Sequence, residues 1–537
     1  MICKRKHIAI TSLLIFAMLL SACAGNNGKT ETNASSPAGT TAGTTAGETT
    51  KTEKSKISIL TTSAAAYNQT VANWKESPYL KKVEELTNTD LDMEFLSWAD
   101  YQTQLTLRFA SNELADLVQT SAIDAPAHAN AVEQGAILEL NELIDKYGPT
   151  LKAKIPERVW KDPAVSKDGK IYAIPGLVPN AHTVVPYIRE DWLKKAEMEM
   201  PVTLDDWVAY FEKVKTMDMN GNGDPNDEYG FYVRENLGSS DMFFYEFGVA
   251  QNHWVVQGEE YVPSVITPNM KEALAFWRKL YKNGYINPNF LTNKYADWQA
   301  GITNGKAGSW LHYVDNIANM WSPDKFIDQP DVKVTAVEPP VGPHAQGAGL
   351  ANTGMYYVWI IPSKTKNPEK VIQLLDKAWS NEELQKFYSF GLEGHNHEVV
   401  DGKIKWDPSA PNNATNGESF AYQADMNFTG HSINNAEEVK MSPFAEQLER
   451  GFAISEKYKI EADSMYMPIP EAFKTRPELL PNFASGATLL LDMFAKVITS
   501  DVDIDAEFDK FVQEWRSRGG NDAIKQATEW HNKFIAN

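Results

Sequence analysis

Cysteine is nearly absent: the 537 residues contain two, Cys3 and Cys23. Cys3 lies in a stretch that reads as removable, so the mature chain keeps one cysteine, which excludes an internal disulfide and a cysteine-based metal site. Long apolar runs are missing too. The run from Ile8 to Leu20 is shorter than the ~20 residues a helix needs to cross a bilayer. Basic charge is scarce: 51 Lys and Arg stand against 71 Asp and Glu, a net of −20. That balance disfavours nucleic acid and anionic polymers as partners. Enzyme signatures are also lacking. His395-Asn396-His397-Glu398 does not have the H-E-x-x-H spacing of a zinc hydrolase, and no G-x-S-x-G elbow occurs.

What is present begins with Lys4, Arg5 and Lys6, then the apolar run, then Leu20-Ser21-Ala22-Cys23. Charge, a short apolar region and small residues are the layout of a secretion signal. The last four residues resemble the lipobox of bacterial lipoproteins, which implies cleavage before Cys23 and acylation of Cys23, palmitate included. Acyl chains hold a body at a membrane surface without a spanning helix. The expected location is therefore the cell membrane, lipid-anchored, on the extracytoplasmic face. Residues 1–22 are the signal, and 23–55, rich in Gly, Thr, Ala and Ser, are a flexible linker.

Beyond the linker, β-rich runs at Ile57 to Thr62, Leu91 to Phe95 and Asp116 to Thr120 alternate with helical patterns at Tyr79 to Leu86 and Asp100 to Ala110. This is the βαβ order of a parallel sheet, in which ligands sit beyond the carboxyl ends of strands. The loops starting at Ser63 and Ser121 are the first candidates for ligand contact. Thr203 and Asp206 form a capping box that opens a helix carrying Trp207, Phe211 and Val214. Trp277, Trp379 and Trp515 fall on apolar helix faces and are expected in the core.

Arg189-Glu-Asp-Trp-Leu193, then Pro201, then Thr203-Leu-Asp-Asp-Trp207 resembles the family 1 extracellular solute-binding lipoproteins of bacterial sugar importers. Asn304 to Trp310, Lys366 to Val371, Gly391 to Gly394 and Asp505 to Gly520 agree with it in order and spacing. The resemblance implies an α/β, two-lobe, periplasmic-binding-protein-like (type II) fold with a hinge and an interlobe ligand cleft. It places residues 56–185 and 340–395 in one lobe and 186–339 and 396–537 in the other, with crossings near Pro186, Pro340 and His395. It further implies a monomer that captures an oligosaccharide, presents it to the permease subunits of an ABC transporter and does no chemistry. The nearest subgroup looks like the alginate-oligosaccharide type, which carries a calcium loop.

Asp218 to Gly230, DMNGNGDPNDEYG, is the sharpest chemical motif. Oxygen side chains at alternate positions of a Gly-rich loop, with a distal acidic pair, suit Ca²⁺ and its six to eight oxygen ligands. Asp218, Asn220 and Asn222 are expected to bind through side chains, Asp224 through its carbonyl, and Asp227 and Glu228 to complete a structural site. One residue more than the family's loop leaves Asn226 and Asp227 equally eligible as penultimate ligand.

Aromatics make up 11% of the chain, with 15 Trp and 21 Tyr, and sugar faces stack on such rings. Trp310, at a strand end after Gly305-Lys306-Ala307, is the first candidate for stacking, although the position also suits the core. Tyr67, Trp74, Trp98, His182, Tyr313 and Trp359 follow it. Asn68, Ser121, Asp124 and Asp315 are candidate partners for hydroxyls. The net charge and the lack of a visible Arg or Lys cluster point to a neutral ligand of two or more sugar units. A secreted glycan hydrolase is the competing reading, since two of so many carboxylates would suffice.

Overall fold

The computed structural model describes residues 54–63, 73–97, 100–180, 184–350, 354–413, 418–483 and 486–535. The signal, Cys23 and most of the linker lie outside these residues, as do Tyr67, Asn68, Trp98 and His182. Two sheets organise the chain. Their strands, in chain order, are β1 (Ser55–Ser63), β2 (Thr89–Ser97), β3 (Leu117–Thr120), β4 (Ala173–Leu177), β5 (Val184–Arg189), β6 (Tyr229–Phe231), β7 (Ala307–Tyr313), β8 (Val334–Ala336) and β9 (Met355–Ile360).

The first sheet has the order β2-β1-β3-β9-β4. β1 runs parallel to β2 and β3, while β9 is antiparallel to both β3 and β4. Helices α1 (Pro78–Thr87) and α2 (Tyr101–Ser111) make the crossovers between the parallel strands. α1 buries Tyr79, Leu80 and Val83 on one face of the sheet, and α2 buries Tyr101 and Leu105 on the other. A parallel sheet covered on both faces needs near-continuous apolar strands, which Ile57, Ile59 and Leu60 supply.

The second sheet has the order β8-β5-β7-β6, with β7 parallel to β6 and antiparallel to β5. Phe211 and Trp277 belong to the core on one face, and Trp298, Trp310 and Trp321 to the core on the other. Thr203 opens α3 (Leu204–Thr216) as its N-cap: Asp206 N donates to Thr203 Oγ1 at 3.2 Å and Thr203 N to Asp206 Oδ2 at 2.8 Å. Such a cap contributes about 1 kcal/mol, and the helix then drives Trp207, Tyr210, Phe211 and Val214 inward.

The chain passes between the sheets from Leu177 to Val184 and from Ala336 to Met355. A third passage lies beyond Gly430, which corrects the crossing expected near His395. Ala421, Tyr422, Met426 and Phe428 pack in the core of the first sheet, so 396–430 does not join the second lobe as a block. Trp359 Nε1 donates to Phe428 O at 3.2 Å, and Leu177 N donates to Thr429 O at 2.7 Å. Gly430 makes this docking possible: its φ is +127°, and a Cβ there would lie 1.8 Å from Leu177 O. Val439 and Leu448 then enter the second core.

Candidate functional site: the interlobe cleft and the 218–228 loop

The edges that face each other follow from the connections. Leu177, the last residue of β4, pairs with Met355, the first residue of β9. The carboxyl ends of β1 and β3 and the loops they lead into share this edge. In the second sheet the chain enters at Val184, which pairs with Tyr313, the last residue of β7. The edge holding Tyr313 is therefore the one next to the crossings, and the parallel neighbour β6 ends there too. Two carboxyl edges thus meet across three connections, the arrangement in which open α/β sheets bind ligands.

On the first edge, Ser63 Oγ donates to Asp425 Oδ2 at 2.6 Å. Ser121 and Asp124, beyond β3, are exposed. Tyr356 is 40% exposed, and its ring meets His431 edge-on at 4.6 Å. Burial pushes the His431 imidazole down to about 4, so it is neutral at ordinary pH. On the second edge, Tyr295 and Tyr313 are 37% and 53% exposed. Tyr295 lies 6.0 Å from the His312 ring and under the Arg234 guanidinium at 4.9 Å.

A cavity of about 370 Å³ opens between the two cores, lined by Asp315, Asn319, Trp406, Gln423, Asn434 and Glu438 among others. Burial raises the carboxyls of Asp315 and Glu438. Glu438 is held by Gln423 Nε2, donating at 2.8 Å, and by Asn434 N at 2.9 Å. A second cavity of about 640 Å³ also spans the lobes, with Arg158 and Lys161 on one side and Tyr466 and Trp530 on the other. Planar amides, carboxyls and rings of this kind can order hydroxyl groups.

Two sequence candidates are overturned. Trp310 is fully buried, stacked on Tyr187 at 5.9 Å and edge-on to Trp321 at 5.2 Å. β7 is covered on both faces, so proximity to its end does not bring Trp310 to the cleft. Trp359 is likewise fully buried and donates to the Phe428 carbonyl. Trp74 is partly buried against Phe95, with ring centres 4.2 Å apart. Ser121, Asp124, Tyr313 and Asp315 lie on the cleft edges. Sequence reasoning missed Arg234, Tyr295, Tyr356 and His431, whose placement depends on pairings distant in sequence.

The 218–228 loop sits at the opposite end of β6. Gly221 N and Asn222 N donate to Asp218 Oδ1 at 2.8 and 3.1 Å, and Gly223 N donates to Asp218 Oδ2 at 2.9 Å. Asp224 N donates to Asn222 Oδ1 at 2.7 Å and Asn222 Nδ2 to Asp227 Oδ2 at 3.1 Å. Glu228 is fully buried; Asn220 N donates to its Oε1 at 3.0 Å, while Oε2 has no partner. Burial, with the charges of Asp227 and Asp218, pushes Glu228 up to about 7 against the opposing backbone amides. An orphaned carboxylate oxygen in an all-oxygen loop fits a hard cation. Among the described residues no three His, Cys, Asp or Glu side chains converge to hold a metal, so such a shell needs the Asn oxygens and loop carbonyls as well.

Fold and site together define a two-lobe binding protein: two α/β lobes, a hinge of three connections and a cleft between sheet edges. A model of the bacterial extracellular solute-binding protein family matches residues 78–412, and the chain belongs to that family. Its relatives include "Lipoprotein LipO" of Bacillus subtilis, 25% identical over 84% of this chain and 88% of that one. The fructooligosaccharide ABC transporter substrate-binding protein FusA of Streptococcus pneumoniae is 28% identical over 57% of this chain and 58% of its own. The crystal structure of the alginate-binding protein AlgQ2 without calcium ion superposes with a TM-score of 0.65 at 18% identity, over 90% of this chain and 99% of that one. The fold is periplasmic-binding-protein-like.

Proposed function

We propose that this chain is the receptor of an ABC importer, held by acylated Cys23 at the extracytoplasmic face of the membrane. It encloses an oligosaccharide between its lobes and does no chemistry on it. The carrying observation is the pair of facing sheet edges with exposed tyrosines on both: Tyr356 on one, Tyr295 and Tyr313 on the other. FusA is named for fructooligosaccharide and AlgQ2 for alginate, which supports a glycan as the ligand class. LipO's name supports the lipoprotein assignment. Among the described residues no helix is long and apolar enough to cross a membrane.

A ligand touching both edges binds the closed arrangement better than the open one and shifts the population toward it. Tyr295, Tyr313 and Tyr356 supply ring faces, while Asp315, Gln423, Asn434 and Glu438 orient hydroxyls. The first lobe is 56–177 with 354–430, and the second is 184–336 with 439–535. Asp218, Asn220, Asn222, Asp224, Asp227 and Glu228 would hold Ca²⁺, whose charge would offset the crowded carboxylates and tie the loop to β6. Thermal-shift screening of the purified protein against a glycan panel tests the reading. Shifts with oligosaccharides and no cleavage products support it. Shifts with peptides alone remove the sugar, and turnover of a glycan restores the hydrolase.

A further inference from the structure

The passage from Ala336 to Met355 is one of the connections between the two sheets, and much of it is fixed to the second lobe. Val341 N donates to Val202 O at 2.9 Å, and His344 N and Ala345 N donate to Glu246 O at 3.0 and 3.2 Å. Leu350 N donates to the Tyr245 hydroxyl at 2.7 Å, and Gly349 and Leu350 pair with Lys459 and Ile460. Glu246 itself packs against this passage. The residue is fully buried, and neither carboxylate oxygen has a hydrogen-bond partner. A Cβ on Gly342 would lie 2.2 Å from the Glu246 Cβ, so only a bare backbone closes over the stem of this side chain.

Among the described residues no charged side chain pairs with Glu246. Its own segment carries Asp241, which accepts from Gln251 Nε2 at 2.6 Å, and Tyr245. The passage carries His344, whose Nε2 meets Glu272 of the helix Asn269–Lys282 at 3.1 Å. It also carries Glu338, which takes Lys457 Nζ at 3.0 Å and the Tyr458 hydroxyl at 2.6 Å. Lys459, opposite Gly349, is engaged by Glu456 and Glu461 at 2.5 and 3.1 Å. Burial raises the Glu246 carboxyl well above its ordinary value, against the weaker pull of the Glu246 and Gly347 amides.

We infer that Glu246 is a proton-operated catch on this connection: as a neutral acid it lets the 342–347 chain seat on the second lobe, and as a carboxylate it releases that chain. A buried charge without a partner is far more costly than a buried neutral acid. The chain from Gly342 to Gly347 has to move before water can reach the group. The seated form holds the proton and the released form, with an ordinary carboxyl, gives it up, so rising pH favours release. Release adds free chain to one connection between the lobes. None of this depends on which ligand the cleft takes.

Hydrogen exchange of the full chain, read by mass spectrometry from about pH 5 to about pH 8 and corrected for the intrinsic rate at each pH, tests the catch over the range where the linkage acts. Protection of 342–350 in the wild type is expected to fall by about tenfold per pH unit above roughly pH 4.5, since one proton is linked to release. Glu246→Gln stays neutral and should make the profile flat; Glu246→Met carries the same test if the glutamine variant folds poorly. His344→Ala breaks the other titratable pair of the passage and should keep the wild-type slope. A flat wild-type profile, or a slope that survives Glu246→Gln, overturns the inference. A slope kept in Glu246→Gln and lost in His344→Ala overturns it in favour of His344 and Glu272.

Discussion

Strand β6 has three residues, and its two ends pose opposite electrostatic problems. Before it, Glu228 adds a buried carboxyl to a loop already crowded with Asp218, Asp224 and Asp227; just past it stands Arg234, a half-buried cation whose Nε has no hydrogen-bond partner. At the first end nearly every partner is within a few residues. Asp218 alone accepts three backbone N–H groups, so the loop is shaped by its own chain before any ion arrives. At the second end the partners come from β6, the turn to Ser239, the helix opened by Tyr295 and the end of β7. A locally built site keeps its geometry when the lobes move. An assembled one does not, and closure can therefore act on it.

The largest effect expected is at Trp310, three residues before the exposed Tyr313 on β7. Trp310→Ala empties a fully buried ring position and should cost about 3–5 kcal/mol of unfolding free energy. Tyr313→Ala should stay within about 0.5 kcal/mol. Denaturant titration checks both, and similar losses would remove the distinction between core and cleft on this strand. Next in size is the cation loop. Ca²⁺ at a hundredfold excess over its Kd should stabilise the fold by about 2.7 kcal/mol. Asp218→Ala should abolish that gain and Arg234→Gln should leave it, because the two ends of β6 are separate sites. A melting curve indifferent to both Ca²⁺ and chelator would reduce the loop to a turn.

Glu246 sharpens the contrast, since neither of its carboxylate oxygens has a partner and the residue is fully buried beside the 342–347 passage. Its Cβ would meet one added at Gly342 at 2.2 Å, and its carbonyl accepts from His344 N at 3.0 Å. Burial raises its pKa well above 4.5. Such a group contributes its full share of stability below the unfolded pKa and loses it as pH rises toward the folded one. The wild type should lose about 1.4 kcal/mol per pH unit above roughly pH 4.5 relative to Glu246→Gln. Parallel pH profiles for the two proteins would contradict this. The smallest effect is on binding: Tyr313→Ala should weaken the glycan by about 1 kcal/mol, measured by calorimetry.

Legibility followed the same divide. The 218–228 loop, the Thr203–Asp206 cap and the crossovers of the first sheet were readable because spacing within a short stretch determines them. Trp277 and Trp515 were assigned correctly to the core from helical periodicity, whereas Trp379, expected there as well, is only partly buried against it. Trp310 was misjudged because periodicity does not report how many faces of a strand are covered, and β7 is covered on both. Arg234 and Tyr356 escaped notice because each becomes meaningful only when β6 meets β7, or β9 meets β4. The third crossing was misplaced for a similar reason, since the docking of Phe428 and Gly430 on Trp359 and Leu177 joins residues far apart in sequence.

Closure of the two edges on a glycan is the central claim, and small-angle X-ray scattering of the chain with and without a saturating oligosaccharide tests it most directly. A smaller radius of gyration in the bound state is the result predicted from the two-lobe, three-connection architecture. An unchanged scattering profile, with binding confirmed by calorimetry in the same buffer, would contradict it.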